Sequence, residues 1–318
     1  MEMVDIINKT KDFELLCQEI KNNSLAKAVL LISKDSKYSF EFAKELAGAI
    51  LNDGAVVDNE NTEKIRANSH PDVKCYPQKD KLLVGDSEEI VLESYVKPIF
   101  AEKKIFIIKD IDNSMESAQN KLLKILEEPP KNVYMILTCS NSNLVLPTIK
   151  SRCNKYELSK LDESIIEKFM EGKDNAKLIV SLSEGHLGKA EELGNLSYLN
   201  KLYESVVSVF TKLSSSKEVL TFAKSIETYK DDFDLIIEIL GLAIEDILKL
   251  KVGKSGELKL KDKKDQLFSV SDQYTVKAIC EIQKLLNKAI KEKMYNVNQS
   301  LIIENLLLNI LEVKFVCK

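Results

Sequence analysis

Short apolar runs alternate with amphipathic stretches through the first half of the chain. Strands are predicted at the apolar runs, which are residues 28–32, 72–76, 81–84, 104–110 and 133–138. Between them, residues 39–52, 86–102 and 114–128 place apolar side chains three and four positions apart, which is typical of a helix packed on one face. Strands that alternate with helices indicate a mostly parallel sheet flanked by helices. We therefore expect residues 1–160 to form an α/β domain.

Acidic residues stand near the starts of two of these predicted helices. Asp86 and Glu89 have the spacing of a capping box. Asp110 and Asp112 come shortly before the helix that is predicted to begin near Ser114, and we expect them to cap it.

The strand pattern ends near Leu161. Three short amphipathic stretches then predict a small helical domain over residues 161–198, and longer amphipathic stretches predict an all-helical domain over residues 199–318. The polar segment 251–266 is the clear interruption of this last domain. The predicted organisation is one α/β domain followed by two all-α domains.

Composition limits the class of protein. The chain has 318 residues, 44% of them hydrophobic, which is ample for folded cores. No apolar run approaches the roughly 20 residues that span a bilayer, and the first residues lack the pattern of a secretory signal. We therefore expect a cytoplasmic protein with no membrane partner. The formal net charge of −4 predicts no overall attraction to nucleic acid.

The cysteines do not suggest a disulfide framework or a metal site. There are six of them, none in a C-x-x-C pair: Cys17, Cys75, Cys139, Cys153, Cys280 and Cys317. This distribution favours free thiols, most of them buried. His70 lies close to Cys75, but two ligands do not make a tetrahedral site. We expect His70 to lie in the turn before a strand and the protein to bind no metal.

The loop after the first predicted strand is where a nucleotide phosphate would bind in an α/β domain. Its sequence, SKDSKY (33–38), has no glycine, although the turn and the close approach of backbone N–H groups to phosphate depend on glycine. Lys37 is followed by Tyr38 rather than by a magnesium-binding Ser or Thr. Gly253-Lys254-Ser255 resembles part of a phosphate loop, but no strand precedes it. Neither segment predicts an ATP site.

The predicted strand at 104–110 also argues against an ATP site. An ATPase places a magnesium-binding carboxylate at the end of such a strand. This chain has Lys109 there, followed by Asp110 and Asp112. We therefore expect no cofactor and no intrinsic ATPase activity.

Arginine is rare in the chain, with Arg66 and Arg152 as its two occurrences. Arg152 lies in LPTIKSRC (146–153). Its planar guanidinium can bind two oxygens of one phosphate or carboxylate, which lysine cannot do. One interpretation is therefore a role at a partner's phosphate. The alternative is a surface salt bridge, worth about 0–1 kcal/mol, for which lysine would serve equally well.

Three motifs in order resemble those of bacterial clamp-loader subunits in the AAA+ superfamily. They are AQNKLLKILEEPPKN (118–132), LPTIKSRC (146–153) and GHLGKA (185–190). Their order and spacing, with SHPDV (69–73) ahead and NVNQSLIIENLLLNIL (296–311) behind, resemble the delta-prime type. This resemblance implies a RecA-like AAA+ α/β module, a helical lid and a helical collar over the three predicted domains.

The resemblance also implies a function. Arg152 would be an arginine finger, flanked by Ser151 and Cys153, that reaches the ATP site of a neighbouring gamma/tau subunit. Such fingers raise the rate of phosphoryl transfer by about 10³–10⁵. The implied partners are gamma/tau and delta subunits, and through the complex the sliding clamp and primed DNA. We expect Arg152 to be exposed until a partner docks.

Departures from the family pattern leave two alternatives open. The chain lacks the four zinc-binding cysteines of many relatives, and it has Gly188 about where ATPase relatives often carry a phosphate-sensing arginine. The stretch TCSN (138–141) stands where active relatives sense the gamma-phosphate. An ATP-hydrolysing gamma/tau-type motor is the first alternative, although the loop without glycine argues against it. The second is a clamp-opening delta subunit, which would be expected to lack the finger motif.

Overall fold

The computed structural model describes residues 2–229 and 232–316. The chain divides into two compact units, of which the first comprises residues 1–169 and 185–191 and the second residues 170–184 and 192–318. Within the described ranges, no helix has the length and apolar character needed to cross a membrane.

A five-stranded parallel sheet organises the first unit. The strands are β1 (Ala28–Ile32), β2 (Val73–Tyr76), β3 (Lys104–Ile108), β4 (Val133–Cys139) and β5 (Asn154–Glu157), in the order β2-β3-β4-β1-β5. In the centre of the sheet, Ile136 of β4 pairs with Val29 of β1 on one side and Ile107 of β3 on the other. Because these strands are parallel, the loops that follow them meet at one edge of the sheet.

Helices account for most of the remaining described residues. In chain order they are α1 (Met3–Ile7), α2 (Lys11–Lys21), α3 (Ser36–Leu51), α4 (Glu60–Arg66), α5 (Val84–Ser94), α6 (Glu116–Glu127), α7 (Pro147–Lys150), α8 (Glu163–Phe169), α9 (Ala176–Ser183), α10 (Leu187–Gly194), α11 (Leu199–Lys212), α12 (Ser216–Glu227), α13 (Phe233–Lys251), α14 (Lys264–Ser271), α15 (Val276–Met294) and α16 (Gln299–Val316). The predicted change from an α/β region to an all-helical region is confirmed.

One core of the first unit lies between the sheet and helices α5 and α6. Leu122 and Ile125 on the apolar face of α6 are almost fully buried, as are Phe106 of β3 and Leu137 of β4 in the same cluster. The spacing of the apolar residues of α6 therefore agrees with the face that it buries.

In the second unit, the polar segment 251–266 interrupts the long helices, as predicted. Helix α13 ends at Lys251, and short 3-10 turns at Ser255–Glu257 and Lys261–Lys263 precede α14. The buried carboxylate of Asp246 accepts hydrogen bonds from the backbone N–H groups of Lys259 and Leu260. One buried acid thus fixes the backbone of this polar segment between its two 3-10 turns.

Three sequence predictions in the region 81–102 are wrong. Residues 81–84 do not form a strand: they lead into α5, with Leu82 buried and Leu83 exposed. The helix predicted to reach residue 102 ends at Ser94. Asp86 lies in the first turn of α5 and accepts a hydrogen bond from the N–H of Leu83, whereas Glu89 accepts one from the Tyr76 hydroxyl. The predicted capping box between Asp86 and Glu89 is therefore wrong.

The predicted capping role of Asp110 and Asp112 is also wrong. Helix α6 begins at Glu116, and Met115 before it provides no side-chain cap. Asp110 has a positive φ of 49°, so the chain turns sharply at the end of β3. Both aspartates bond to other loops at the same edge of the sheet, as described below.

A buried carboxylate fixes the loop between α5 and β3. Asp72 accepts hydrogen bonds from the backbone N–H groups of Ile99 (2.7 Å), Phe100 (2.7 Å) and Ala101 (2.8 Å). Burial raises the pKa of this carboxyl, but the three N–H donors lower it further, and the net pKa lies below its usual range. The loop is therefore held by charge-assisted bonds.

Asp72→Asn should lower the free energy of unfolding by about 1–3 kcal/mol, because an amide cannot satisfy all three donors. The folded-state pKa of Asp72 lies below the unfolded value of about 3.9, so its stabilisation is complete above that pH and is lost as the pH falls through the folded-state pKa. Urea unfolding from pH 7 down to pH 3 measures both effects. Asp80→Asn, on an exposed loop, is the matched control, and equal stability of the two variants would contradict the role of Asp72.

Candidate functional site

The loops that follow β1, β3 and β4 form the candidate site. They comprise residues 33–35, 109–112 and 140–142, and a cavity of about 320 Å³ opens beside the first and last of them. In parallel sheets with helices on both faces, the crevice at this edge is the usual place for a ligand. The side chains in these loops decide what the crevice can bind.

Asp35 occupies the amino terminus of helix α3. Its Oδ1 accepts a hydrogen bond from the N–H of Tyr38 at 3.0 Å, and the side chain is almost fully buried. The N–H groups at this end of a helix carry partial positive charge and bind phosphate in nucleotide-binding proteins. Here the chain supplies its own anion at that position.

The second Asp35 oxygen binds the segment 185–191 of the same unit. Oδ2 accepts a hydrogen bond from the N–H of Gly188 at 2.7 Å. A Cβ atom on Gly188 would overlap the Asp35 carboxylate and also the Cβ of Lys37. The close backbone approach therefore requires glycine at 188.

The two residues predicted to be unsuitable for ATP are directed away from a phosphate position. Lys37 forms an ion pair with Glu191, with 3.0 Å between Nζ and Oε2. The Tyr38 side chain is buried against Phe42, and burial raises the pKa of its hydroxyl. Lys37 is thus paired within the unit, and Tyr38 is packed in its core.

Polar contacts also link the other two loops. The carboxylate of Asp110 accepts hydrogen bonds from the Ser36 hydroxyl at 2.7 Å, and its own N–H donates to the buried hydroxyl of Thr138. Asp112 accepts from the N–H groups of Ser140 and Asn141. The aspartates thus bond to neighbouring loops at the edge of the sheet.

Arg152 lies at a second place in the first unit, between α7 and β5. Ile149 and Cys153 on either side of it are buried in the core, and the Ser151 hydroxyl donates to the carbonyl of Thr148. Burial raises the pKa of the Cys153 thiol to about 12, so this cysteine is an anchor and not a nucleophile. The two buried neighbours fix the position of the Arg152 backbone.

The Arg152 guanidinium has partners within the chain. Nε and Nη2 donate to Oε2 of Glu127 at 3.1 and 2.8 Å, and Nη1 donates to the carbonyl of Thr148 at 3.0 Å. The side chain is 28% exposed. The prediction that Arg152 is simply exposed is therefore incomplete, because a surface ion pair is present.

Arg66 differs clearly from Arg152. It forms a two-point ion pair with Glu45, at 2.7 and 2.9 Å, and a further bond to Asp58. Glu45 is nearly buried, so this arginine joins α4 to α3. Arg66 thus has a structural role, which leaves Arg152 as the candidate for a functional one.

Gln119 connects helix α6 to the segment that carries Arg152. Its side chain is 1% exposed; Oε1 accepts from the N–H of Leu146, and Nε2 donates to the carbonyls of Leu144 and Ile111. Leu146 directly precedes α7. The amide therefore fixes the start of the short helix that leads to Arg152.

The expected turn at His70 is confirmed. His70 is buried just before β2; its Nδ1 accepts from the N–H of Asp72, and burial lowers its pKa. In the described ranges, no group of three or more His, Cys, Asp or Glu side chains could hold a metal ion. The described cysteines are free thiols, three of the five are buried, and Cys317 lies outside the described residues.

Comparison with known proteins identifies the family. A model described as "DNA polymerase III, delta subunit" matches residues 8–162, and one described as "DNA polymerase III, delta subunit, C terminal" matches residues 196–312. The DNA polymerase III subunit delta' of Bacillus subtilis (strain 168) is 25% identical over 317 residues, covering 94% of this chain and 95% of that one. The chain belongs to the delta-prime family of DNA polymerase III clamp-loader subunits.

Further relatives agree with this delta-prime assignment. The subunit delta' of Haemophilus influenzae is 26% identical over 249 residues, covering 74% of this chain and 72% of that one. A crystal structure of a DNA polymerase III gamma subunit-related protein from Thermotoga maritima has a TM-score of 0.56 at 20% identity, covering 96% of this chain and 100% of that one. That likeness concerns the fold, and it agrees with an α/β domain followed by helical domains.

Three residues of this delta-prime family member were missed as site residues by the sequence interpretation. Each carries a local signal. Asp35 directly precedes a helix, which is typical of an N-cap. Gln119 lies on the same helix face as the core residue Leu122. Glu127 places a negative charge at a helix carboxyl terminus, where the helix dipole disfavours it. Each also has a partner far away in sequence, which is Gly188 for Asp35, Leu146 for Gln119 and Arg152 for Glu127.

Gln119→Leu should lower the free energy of unfolding by about 1–3 kcal/mol, since Leu146 N–H and the carbonyls would lose their buried partner. Asn120→Ala, at the exposed neighbouring position of α6, is the control and should stay within about 0.5 kcal/mol. Chemical denaturation of the two variants measures the difference. A Gln119→Leu protein as stable as the control would show that the amide bonds contribute nothing net.

Proposed function

We propose that this chain is a non-catalytic subunit of a clamp loader that completes the ATP site of a neighbouring gamma/tau subunit. Arg152, with Ser151 and Cys153 fixing its backbone, is the arginine finger in this proposal. The assembled complex, which also contains a delta subunit, would load the sliding clamp on primed DNA. The proposed domains are the AAA+ module (1–160), the lid (161–198) and the collar (199–318).

The observation that carries the proposal is the position of Asp35. Its carboxylate already binds the N–H group of Tyr38 at the start of α3, which is where a phosphate would bind. A phosphate oxygen placed about 4 Å from this carboxylate would be repelled by about 4 kcal/mol at an effective dielectric constant of 20. Lys37, which would offset that charge, is paired with Glu191. A subunit that binds no nucleotide of its own would act at the ATP site of a neighbouring subunit.

The rarity of arginine supports the role given to Arg152. Arg66 has a structural role, and the remaining basic residues are lysines. A planar guanidinium suits the charge that redistributes over phosphate oxygens in phosphoryl transfer. The surface pair with Glu127 does not by itself require arginine at 152, because a lysine could also form it.

The C-terminal helix supports assembly into a hetero-oligomer. Helix α16 is apolar on more than one face: Leu306 and Ile310 are buried, whereas Leu301, Leu308 and Phe315 are 54%, 43% and 50% exposed. These three recur every seven residues and so lie on one side of the helix. A helix that is apolar all round is normally covered by protein, which is consistent with a collar partner.

The isolated chain should bind no ATP measurably at micromolar concentrations, with or without magnesium. The reason is that the Asp35 carboxylate already accepts from the N–H group at the start of α3, and Tyr38 is buried where a magnesium-binding Ser or Thr would be needed. Titration calorimetry at a chain concentration of about 50 µM measures this, with a gamma/tau subunit as the positive control. Magnesium-dependent binding in the micromolar range would contradict the proposal and favour the motor alternative.

Arg152→Lys and Arg152→Ala should reduce ATP hydrolysis by the adjacent gamma/tau subunit and slow clamp loading. A finger contributes about 10³–10⁵ at one site, and bulk ATPase should fall only in part because other sites in the ring stay intact. The melting temperature of the free chain should change little, since an exposed ion pair is worth about 0–1 kcal/mol. The measurement is DNA- and clamp-stimulated ATPase of reconstituted rings.

Lys155→Ala is the matched control for this experiment. Lys155 is exposed on β5, three residues from Arg152, so the variant removes a nearby positive charge without touching the proposed finger. It should leave ATPase and loading unchanged. Wild-type rates in rings that contain Arg152→Ala would refute the finger role.

A further inference from the structure

Glu127 and Arg152 form an ion pair with an uneven geometry. Both Nε and Nη2 of the guanidinium donate to the same carboxylate oxygen, Oε2. The Thr148 carbonyl accepts from Nη1 on another side. Two intrachain acceptors thus fix the plane of a guanidinium whose backbone is already anchored by Cys153.

These contacts leave part of the guanidinium available. A guanidinium has five N–H groups, and three of them have acceptors in the described part of the chain. One N–H on Nη1 and one on Nη2 remain, and 28% of the side chain is accessible. Two N–H groups on adjacent nitrogens suit two oxygens of an incoming phosphate. The pair with Glu127 is therefore compatible with a further anionic ligand.

Folding stability does not account for an acid at position 127. Glu127 is the last residue of α6, where the negative end of the helix dipole disfavours a carboxylate. Its side chain is 59% exposed, and an ion pair at that exposure contributes little to stability. Its described partner is Arg152, so the position of Arg152 is what this carboxylate affects.

We propose that Glu127 is a positioning residue for Arg152, which holds the Nε–Nη2 edge of the guanidinium so that the remaining N–H groups face the partner's phosphate oxygens. This inference rests on the proposed finger role of Arg152. An arginine side chain has many rotamers, and a fixed plane removes the cost of ordering it at each catalytic cycle. Glu127 itself need not touch the nucleotide.

Side chains near both ends of helix α6 bond to the segment that carries Arg152. Gln119 near its amino terminus binds the backbone that leads into α7, and Glu127 at its carboxyl terminus binds the guanidinium. The core residues Leu122 and Ile125 fix the helix between them. One rigid helix therefore determines both the backbone and the side-chain position of Arg152.

The test uses reconstituted loaders that contain the full chain. The difference between wild-type and Arg152→Ala rates defines the Arg152-dependent rate of stimulated ATP hydrolysis. Glu127→Gln should reduce kcat for that part about tenfold, by misplacing the guanidinium, with the KM for ATP nearly unchanged. Glu127→Asp, which keeps the charge on a shorter side chain, should give an intermediate rate. Glu128→Gln, at the exposed neighbouring position, should match the wild type.

A second arm combines the substitutions. In the Arg152→Ala background, Glu127→Gln should have no further effect, because a positioning residue acts through the residue that it positions. Equal losses in both backgrounds would overturn the inference. The melting temperature of each free chain shows that the variants fold.

The outcomes separate this inference from the proposal on which it rests. If no Arg152-dependent rate exists, the finger role fails and this inference fails with it. If that rate exists and Glu127→Gln retains all of it, the positioning role alone fails. A faster rate in Glu127→Gln would mean that Glu127 restrains the arginine, which would also overturn the inference.

Discussion

Parallel pairing of β4 with both β1 and β3 is the constraint on which the candidate site depends. It places the ends of three strands side by side at the switch point of the sheet, so that residues 36, 110 and 140 become neighbours despite their separation in sequence. Parallel strands of this kind are buried and consist almost entirely of apolar residues. The polar groups are therefore concentrated in the loops at the edge of the sheet, where they bond to each other.

The bonds at this edge are of the kind that a nucleotide would otherwise make. Asp35 satisfies a helix N–H group, Asp110 accepts from Ser36, and Asp112 binds the backbone after β4. The donors in these three contacts therefore have acceptors within the protein. Arg152 differs, because its guanidinium keeps N–H groups available at an accessible surface. The fold thus places these bonded carboxylates and the partly accessible Arg152 at two different positions in the first unit.

The sequence predicted the central strands because each is a continuous apolar run with little alternative to burial. It missed β5, whose residues Asn154–Glu157 are polar and lie at an edge of the sheet with one neighbouring strand. It also extended α5 to residue 102, since the apolar Ile99 and Phe100 continue the helical spacing. In the fold those residues are exposed, and Asp72 holds their backbone. A contact over nearly 30 residues decided that boundary.

The same limit applies to the site. The lack of glycine in residues 33–38 and the rarity of arginine are local facts, so the interpretation of the phosphate loop and of Arg152 could begin from them. The pairing of Glu127 with Arg152 and of Gln119 with Leu146 joins segments more than 20 residues apart. The unfavourable charge of Glu127 at the end of a helix can be recognised from the sequence, but its partner Arg152 can be identified only from the fold.

The contact between Asp35 and Gly188 has a consequence for how this chain could change. A side chain at 188 would overlap the Asp35 carboxylate, and a carboxylate at 35 would compete with phosphate for the helix N–H groups. An arginine at 188 would therefore be harmful unless Asp35 had already been replaced, and replacing Asp35 alone would leave two buried N–H groups without an acceptor. Each single step is unfavourable before the other has occurred. This mutual dependence is sign epistasis, in which the effect of a substitution at one of the two positions depends on the residue at the other.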